Sequence, residues 1–294
     1  MAYAATIGFF DGVHRGHQFV MERLRNVARQ TGLQSAVITF TEHPQKVLQG
    51  AELPLLTVYQ ERVERLKKQQ VDEIFAFSFD IIKDMTAEEF MLILHRQCSV
   101  EILLMGYDHH FGSDRLAHFS DYQALADKIG MQLIELPQLT DSEIGLVPSS
   151  TKIRKALLSG MIEEANLMLG YAYTLSGEVV EGRHLGRTIG FPTANIHVAS
   201  DKLCPLSGVY AALLTDEELG FNDTPVIVNI GTNPTVGGRQ TTVEAHIPDW
   251  EGDLYGRHLS VRLTRYLRAE KKFPSMEVLK QQIHKDIENL KSHN

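Results

Sequence analysis

The chain opens on an apolar run, "AATIGFF", and then changes period. From Gly16 onward Val20, Leu24, Val27 and Ala28 fall on one helical face. "SAVITF" at 35–40 returns to a buried-strand pattern. A second helix is predicted over 57–70, with Leu56, Tyr59, Val63 and Leu66 as its apolar stripe. Glu61–Arg65 and Glu64–Lys68 form i,i+4 pairs on its outer side. Strand-like runs recur at 73–79, 101–107 and 132–137, with helical stretches at 86–97 and 119–129 between them. Five short apolar strands separated by helices predict a parallel sheet covered on both faces.

Helical text runs on to Gly170, and from Tyr171 the texture changes. The runs "YTLSGEVVEG", "GVYAALLT", "TPVIVNIG", "TTVEAHIP" and "HLSVRLTRYL" are broken by glycine, proline and asparagine. In the last of them Leu259, Val261 and Leu263 alternate with Ser260, Arg262 and Thr264. A small antiparallel barrel is predicted. A final helix from about Ser275 carries Met276, Leu279, Ile283, Ile287 and Leu290 as its stripe. The boundary between the two textures divides the chain into domains 1–170 and 171–294.

Composition changes this picture little. With 294 residues, 43% hydrophobic and 22% charged, the chain can build two cores. A net charge of −8 argues against a nucleic-acid partner. No apolar run approaches a membrane span, and no secretory leader precedes the first strand. Cys98 and Cys204 lie far apart without metal spacing, which suits a reducing, cytoplasmic setting.

Chemistry concentrates in a few phrases. "GFFDGVHRGH" sits where the first strand gives way to a helix, beyond a strand carboxyl end, where ligands bind in such sheets. Backbone N–H groups at the helix start attract anions, and Gly12 and Gly16 allow close approach. His14 and His17 can aim at one point and stabilise charge on a phosphate oxygen. Alone, two histidines at a helix start are more often capping or surface residues, and a zinc or iron site with Asp11 is a second alternative. A second phrase, "PSSTKIRKAL" at 148–157, shifts the balance: Ser150 and Thr151 open a helix that carries Lys152, Arg154 and Lys155. Together the two phrases resemble the HxGH nucleotidyltransferases, in which a loop like the second closes over ATP phosphates.

The second half holds "GRHLGRTIGFPTANI" at 182–196, with Gly182, Gly186 and Gly190 among Arg183 and Arg187. Glycine-rich backbone with arginines suits phosphates. Thr193 and Asn195 offer oxygens to a hard cation. In "TTVEAHIPDW", if Val243, Ala245 and Ile247 face a core, Glu244 and His246 face away from it.

With "TFTEHP", "GYDHHFG", "GVYAAL", "VNIGTNPTV", "DLYG" and "LRAEKKF" following in order, nearly the whole chain resembles the bacterial bifunctional riboflavin kinase/FAD synthetases. The resemblance implies a Rossmann-like HxGH nucleotidyltransferase domain followed by a riboflavin kinase barrel with a C-terminal helix. It implies ATP phosphorylation of riboflavin to FMN in the second domain, adenylylation of FMN to FAD in the first, and magnesium in both. Glu244 matches the kinase base, Thr193 the magnesium ligand, and Asn195 a support for metal and phosphates. His14, His17 and Arg154 match the adenylyl-transfer residues. Gly8, Phe10, Asp11, Gly12, Gly16, Asp108, Ser150 and Thr151 match nucleotide-binding positions, as do Gly182, Arg183, Gly186, Arg187 and Gly190. Phe40, His43 and Pro44 are placed with the flavin. The chain departs from the family at Phe9, where many members have Asn, and at His109, commonly Phe; it also has fewer residues before its first strand than members usually carry.

Overall fold

The first apolar run folds as β1 (Tyr3–Ile7) and leads, through a 3-10 turn at Asp11–Val13, into α1 (Arg15–Thr31). The computed structural model describes residues 1–50, 53–106, 109–137, 139, 145, 147–182, 185–235 and 238–291. After α1 come β2 (Gln34–Phe40), α2 (Pro44–Gln49), α3 (Tyr59–Lys68), β3 (Glu73–Phe77), α4 (Phe79–Ile82) and α5 (Ala87–Cys98). They are followed by β4 (Val100–Gly106), α6 (Phe119–Ile129) and β5 (Gln132–Leu136). The five strands form one parallel sheet in the order β3-β2-β1-β4-β5. Both faces are covered, as continuous apolar strands require. Met21, Leu24 and Ala28 of α1 pack on one face, with Val20 and Val27 beside them; Phe90, Met91 and Leu94 of α5 pack on the other.

Three features differ from the sequence expectation. α2 and α4 are too short to give a period. In α3 the buried positions are Arg62 and Leu66, while Tyr59 stays partly exposed. Glu61 reaches back to accept the Val58 N–H at 3.2 Å, so it caps the helix it was expected to line.

Compact units form at Met1–Ser150 and Thr151–Asn294, and the break falls inside α7 (Ser150–Leu158). In the second unit α8 (Ile162–Leu169) packs on the barrel strands β6 and β11. Its Asn166 donates to the Leu263 carbonyl at 2.9 Å and accepts the Tyr173 N–H at 2.8 Å. The remaining elements are β6 (Tyr173–Val180), α9 (Leu185–Thr188), β7 (Ala194–Val198), β8 (Gly208–Asp216), β9 (Phe221–Thr235), β10 (Gly238–His246), β11 (His258–Arg268) and α10 (Met276–Lys291). Six antiparallel strands close a barrel in the order β10-β7-β6-β11-β8-β9. Leu259, Val261 and Leu263 face its core, as the alternation predicts. The strand hidden from the sequence is β7, whose first residues read as a turn. On α10 the stripe seals only at its end: Ile287 and Leu290 pack on Val209, Ala211 and Ile227, while Met276 is exposed. The helix is also held by charge. Buried Asp286 receives both Nε and Nη2 of Arg268, at 3.0 and 2.8 Å.

Candidate active sites

At the end of β1 the chain turns sharply. Phe10 has φ 56° and Gly12 φ 78°, both in the left-handed region. For Phe10 this is strained backbone of the kind that collects at functional sites. The turn is braced from the segment before α3. Both oxygens of buried Asp11 accept backbone N–H groups, from Thr57 and Leu56, each at 3.0 Å. The Gly12 N–H in turn donates to the Thr57 hydroxyl at 2.9 Å. Asp11 thus serves the turn itself. Among the described residues no three His, Cys, Asp or Glu side chains gather as a metal site, so Asp11 does not join the imidazoles in one.

The Phe10 ring folds back over Gly8, where a Cβ would lie 2.8 Å from it, and meets the His17 ring edge-on at 5.2 Å. His14 occupies the N-cap position of α1, though its side chain makes no cap hydrogen bond there. The His14 and His17 rings stack at 3.6 Å with 19° between their planes. Gly16 is needed for this arrangement: a Cβ there would sit 3.1 Å from the His14 ring and 3.7 Å from the Pro148 carbonyl. Burial, and then the charge of His14, hold the His17 imidazole well below its ordinary pKa. Nδ1 of His17 is buried and has no hydrogen-bond partner among the described residues.

The second phrase comes to the same place through Ser150, whose hydroxyl donates to the Asp11 carbonyl at 3.0 Å. One bond therefore ties the two motifs across 139 positions of sequence. Thr151 and Arg154 follow on α7, with Arg154 one turn beyond Ser150. Asp108 lies outside the described residues.

The positions placed with flavin also build local structure. Phe40 is buried in the sheet core, edge-on to Phe79 at 5.4 Å. His43 caps α2, its Nδ1 accepting the Gln45 N–H at 3.1 Å, and Pro44 opens that helix. The His43 ring also meets Phe9 at 4.5 Å. Sequence reasoning missed the residue beneath them. The fully buried Arg62 guanidinium lies 3.9 Å over the Phe9 ring and donates to the Phe40 carbonyl at 2.5 Å.

In the barrel, Glu244 on β10 stands directly opposite Asn195 on β7 and, on its other side, Asn229 on β9. Val243 and Ala245 point to the core, so Glu244 projects from the opposite face, as the alternation predicts. Gly182 is packed against this rung; a Cβ there would overlap the Asn195 amide. Gly186 closes the loop, its carbonyl accepting the Phe191 N–H at 2.9 Å. A Cβ at Gly186 would overlap the Phe191 carbonyl, and Gly190 takes the left-handed φ of 87°. The His246 Nδ1 lies 2.8 Å from the Pro192 carbonyl. A carbonyl can only accept, so that nitrogen carries hydrogen. Burial lowers the His246 pKa, partly opposed by that carbonyl and by Asp249. Arg183 lies outside the described residues, while Arg187 and Thr193 line a small, partly open cleft. Asn229, Trp250, Leu254 and Tyr255 fall in the phrases "VNIGTNPTV", "TTVEAHIPDW" and "DLYG" but were given no role from sequence; Asn229 flanks Glu244 and the other three line the cleft.

Fold and family matches together define a two-domain nucleotide-dependent transferase. The FAD synthetase family model matches residues 2–151 and the riboflavin kinase (flavokinase) model residues 169–293. The chain belongs to the bifunctional riboflavin kinase/FMN adenylyltransferases. Relatives of that name share 37% identity in Escherichia coli K12 (96% of this chain, 89% of that one). The corresponding values are 34% in Listeria monocytogenes (98% and 91%) and 36% in Haemophilus influenzae (98% and 93%). A crystal structure titled macrolide-efflux protein, from Streptococcus pneumoniae, is 30% identical with a TM-score of 0.89, over 100% of this chain and 95% of that one. Among the described residues, no helix of this chain is long and apolar enough to cross a membrane.

Proposed function

We propose that the chain converts riboflavin and ATP to FMN in domain 171–294, and FMN and a second ATP to FAD and pyrophosphate in domain 1–170, in a cytoplasmic setting. The observation that carries this reading is the Glu244–Asn195 rung, two residues beyond the Thr193 that lines the cleft. The ribityl 5′-hydroxyl is hardly ionised near neutral pH and needs a base. Glu244 takes its proton, the oxygen attacks the γ-phosphorus of ATP, and ADP leaves. The Thr193 hydroxyl and the Asn195 amide oxygen are hard donors that fit magnesium, and Gly182 keeps the space beside Asn195 clear. Bound there, magnesium would offset the charge of the phosphates. Gly182, Arg183, Gly186, Arg187 and Gly190 form the cradle around them.

The second reaction needs no base. A phosphate monoester has a second pKa of about 6, so FMN arrives already anionic. One of its oxygens attacks the α-phosphorus of ATP, and pyrophosphate departs. His14 and His17 donate hydrogen bonds to the phosphoryl oxygens as charge develops. His17, with its lowered pKa, does so as a neutral imidazole. Ser150, Thr151 and Arg154 hold the leaving pyrophosphate. Gly8, Phe10, Gly12 and Gly16 shape the turn around the nucleotide, Asp11 braces it, and Asp108 orients nucleotide or metal. His43 and Pro44 border the flavin over a floor that includes Phe40.

The test is direct: riboflavin, ATP and magnesium are incubated with the chain, and FMN and FAD are separated over time. FMN should rise first and FAD follow; a chain that forms neither overturns the reading.

A further inference from the structure

Glu270 lies in the segment between β11 and α10, yet its carboxylate reaches the face that carries Glu244. Asn229 and Gly231 alternate on β9 and pair with Glu244 and Thr242 on β10, so the four positions share that face. A Cβ at Gly231 would lie 2.7 Å from Glu270 Oε1, so the carboxylate fills the space a side chain would take. The same oxygen accepts from Asn229 Nδ2 at 3.4 Å. Glu270 is exposed, but the segment that presents it is tied to α10 on both sides. Arg268 binds Asp286 at 2.8 Å, and Lys271 Nζ donates to Gln282 Oε1 at 2.9 Å.

We propose that Glu270 is a positioning residue of the kinase: it fixes the Asn229 amide with its oxygen toward the ribityl 4′-hydroxyl, and so makes the site selective for a chain with two adjacent terminal hydroxyls. This rests on the kinase reading of the barrel. An amide has a donor end and an acceptor end, whereas a carboxylate accepts. With Glu270 beside it, the Nδ2 end of Asn229 is taken and Oδ1 is the end left for a ligand. Glu244 takes the proton of the 5′-hydroxyl, and Asn229 stands directly opposite it, about 5 Å away between β-carbons. Asn195, on the other side of Glu244, is given to metal and phosphate, which leaves Asn229 for the hydroxyl on the next carbon. That hydroxyl has a hydrogen to donate, and Oδ1 accepts it.

The test compares riboflavin with 4′-deoxyriboflavin as kinase substrates of the full chain, with ATP and magnesium. The unaltered chain should prefer riboflavin about tenfold in kcat/KM, the worth of one such hydrogen bond. Glu270→Ala should lose most of that preference by lowering kcat/KM for riboflavin, with the value for the analogue nearly unchanged. Gly231→Ala, whose methyl takes the place of the carboxylate, should do the same. Asn229→Ala should abolish the preference, and adding Glu270→Ala to it should change nothing further, because Glu270 acts through Asn229. Urea midpoints report folding; if Glu270→Ala is unfolded, Gly231→Ala decides. A folded variant that loses both flavins by the same factor, or keeps the full preference, overturns the role of Glu270. So does an unaltered chain that treats the two flavins alike. Each of these leaves the kinase reading in place. Failure of the unaltered chain to make FMN overturns the kinase reading itself.

Discussion

Asn195 and Glu244 face each other across one rung of the barrel, on neighbouring strands that are 49 positions apart in sequence. The pairing puts an amide and a carboxylate on the same face with a cross-strand spacing of about 5 Å. The carboxylate proposed as base and the amide proposed to support metal and phosphate are thus held by backbone pairing.

Glu244→Gln should abolish FMN formation, with a loss of about 10²–10⁴-fold for a general base. FAD synthesis from supplied FMN should persist, because that phosphate needs no base. Near-normal riboflavin phosphorylation by the variant would remove Glu244 from the role.

His17→Gln should act in reverse, slowing FAD formation by about 10²-fold while FMN formation continues. The same substitution should change stability against pH. The folded chain holds His17 well below the ordinary imidazole value of 6.5, so the unfolded chain binds the extra proton first. The stability due to neutral His17 is fully present above pH 6.5 and is lost progressively as pH falls below it. Urea midpoints between about pH 5 and 8 should fall on the acid side in the parent chain and fall less in the variant. Equal acid limbs would show that His17 is not the group responsible.

Two glycine substitutions should separate the activities. Gly16→Ala presses a methyl toward the His14 ring and should impair FAD synthesis alone. Gly182→Ala presses one into the Asn195 amide and should impair FMN synthesis alone. Assaying both reactions on both variants checks this; equal losses in both columns would mean general unfolding.

Asp286→Asn leaves Arg268 without its bidentate carboxylate, and breaking a buried pair from one side costs about 3–5 kcal/mol. Chemical unfolding of the variant should show its midpoint shifted accordingly. A change below about 1 kcal/mol would place this pair with the weak surface bridges.

The parallel sheet was legible because strands buried on both faces spell continuous apolar runs, and five of them are separated by helical text. The barrel was legible in five strands of six. β7 escaped because "PTAN", from Pro192 just before it to Asn195, reads as a turn, although Ala194, Ile196 and Val198 already alternate with Asn195 and His197. The histidine motif was visible as chemistry, yet the Ser150 bond to the Asp11 carbonyl was not, since it joins segments by tertiary folding alone. Arg62 was passed over because a charged residue breaks an apolar stripe. Its burial depends on the Phe9 ring and the Phe40 carbonyl, which no local pattern announces.

The closed barrel also matters for how each half tolerates crowding. Its six strands leave no unpaired rim for another chain to extend. The parallel sheet ends at β3 and β5, each five residues long, with exposed Glu73 on one and exposed Glu135 on the other. Short borders bearing negative charge discourage edge-to-edge polymerisation, so resistance to misassembly rests on topology in one half and on two glutamates in the other.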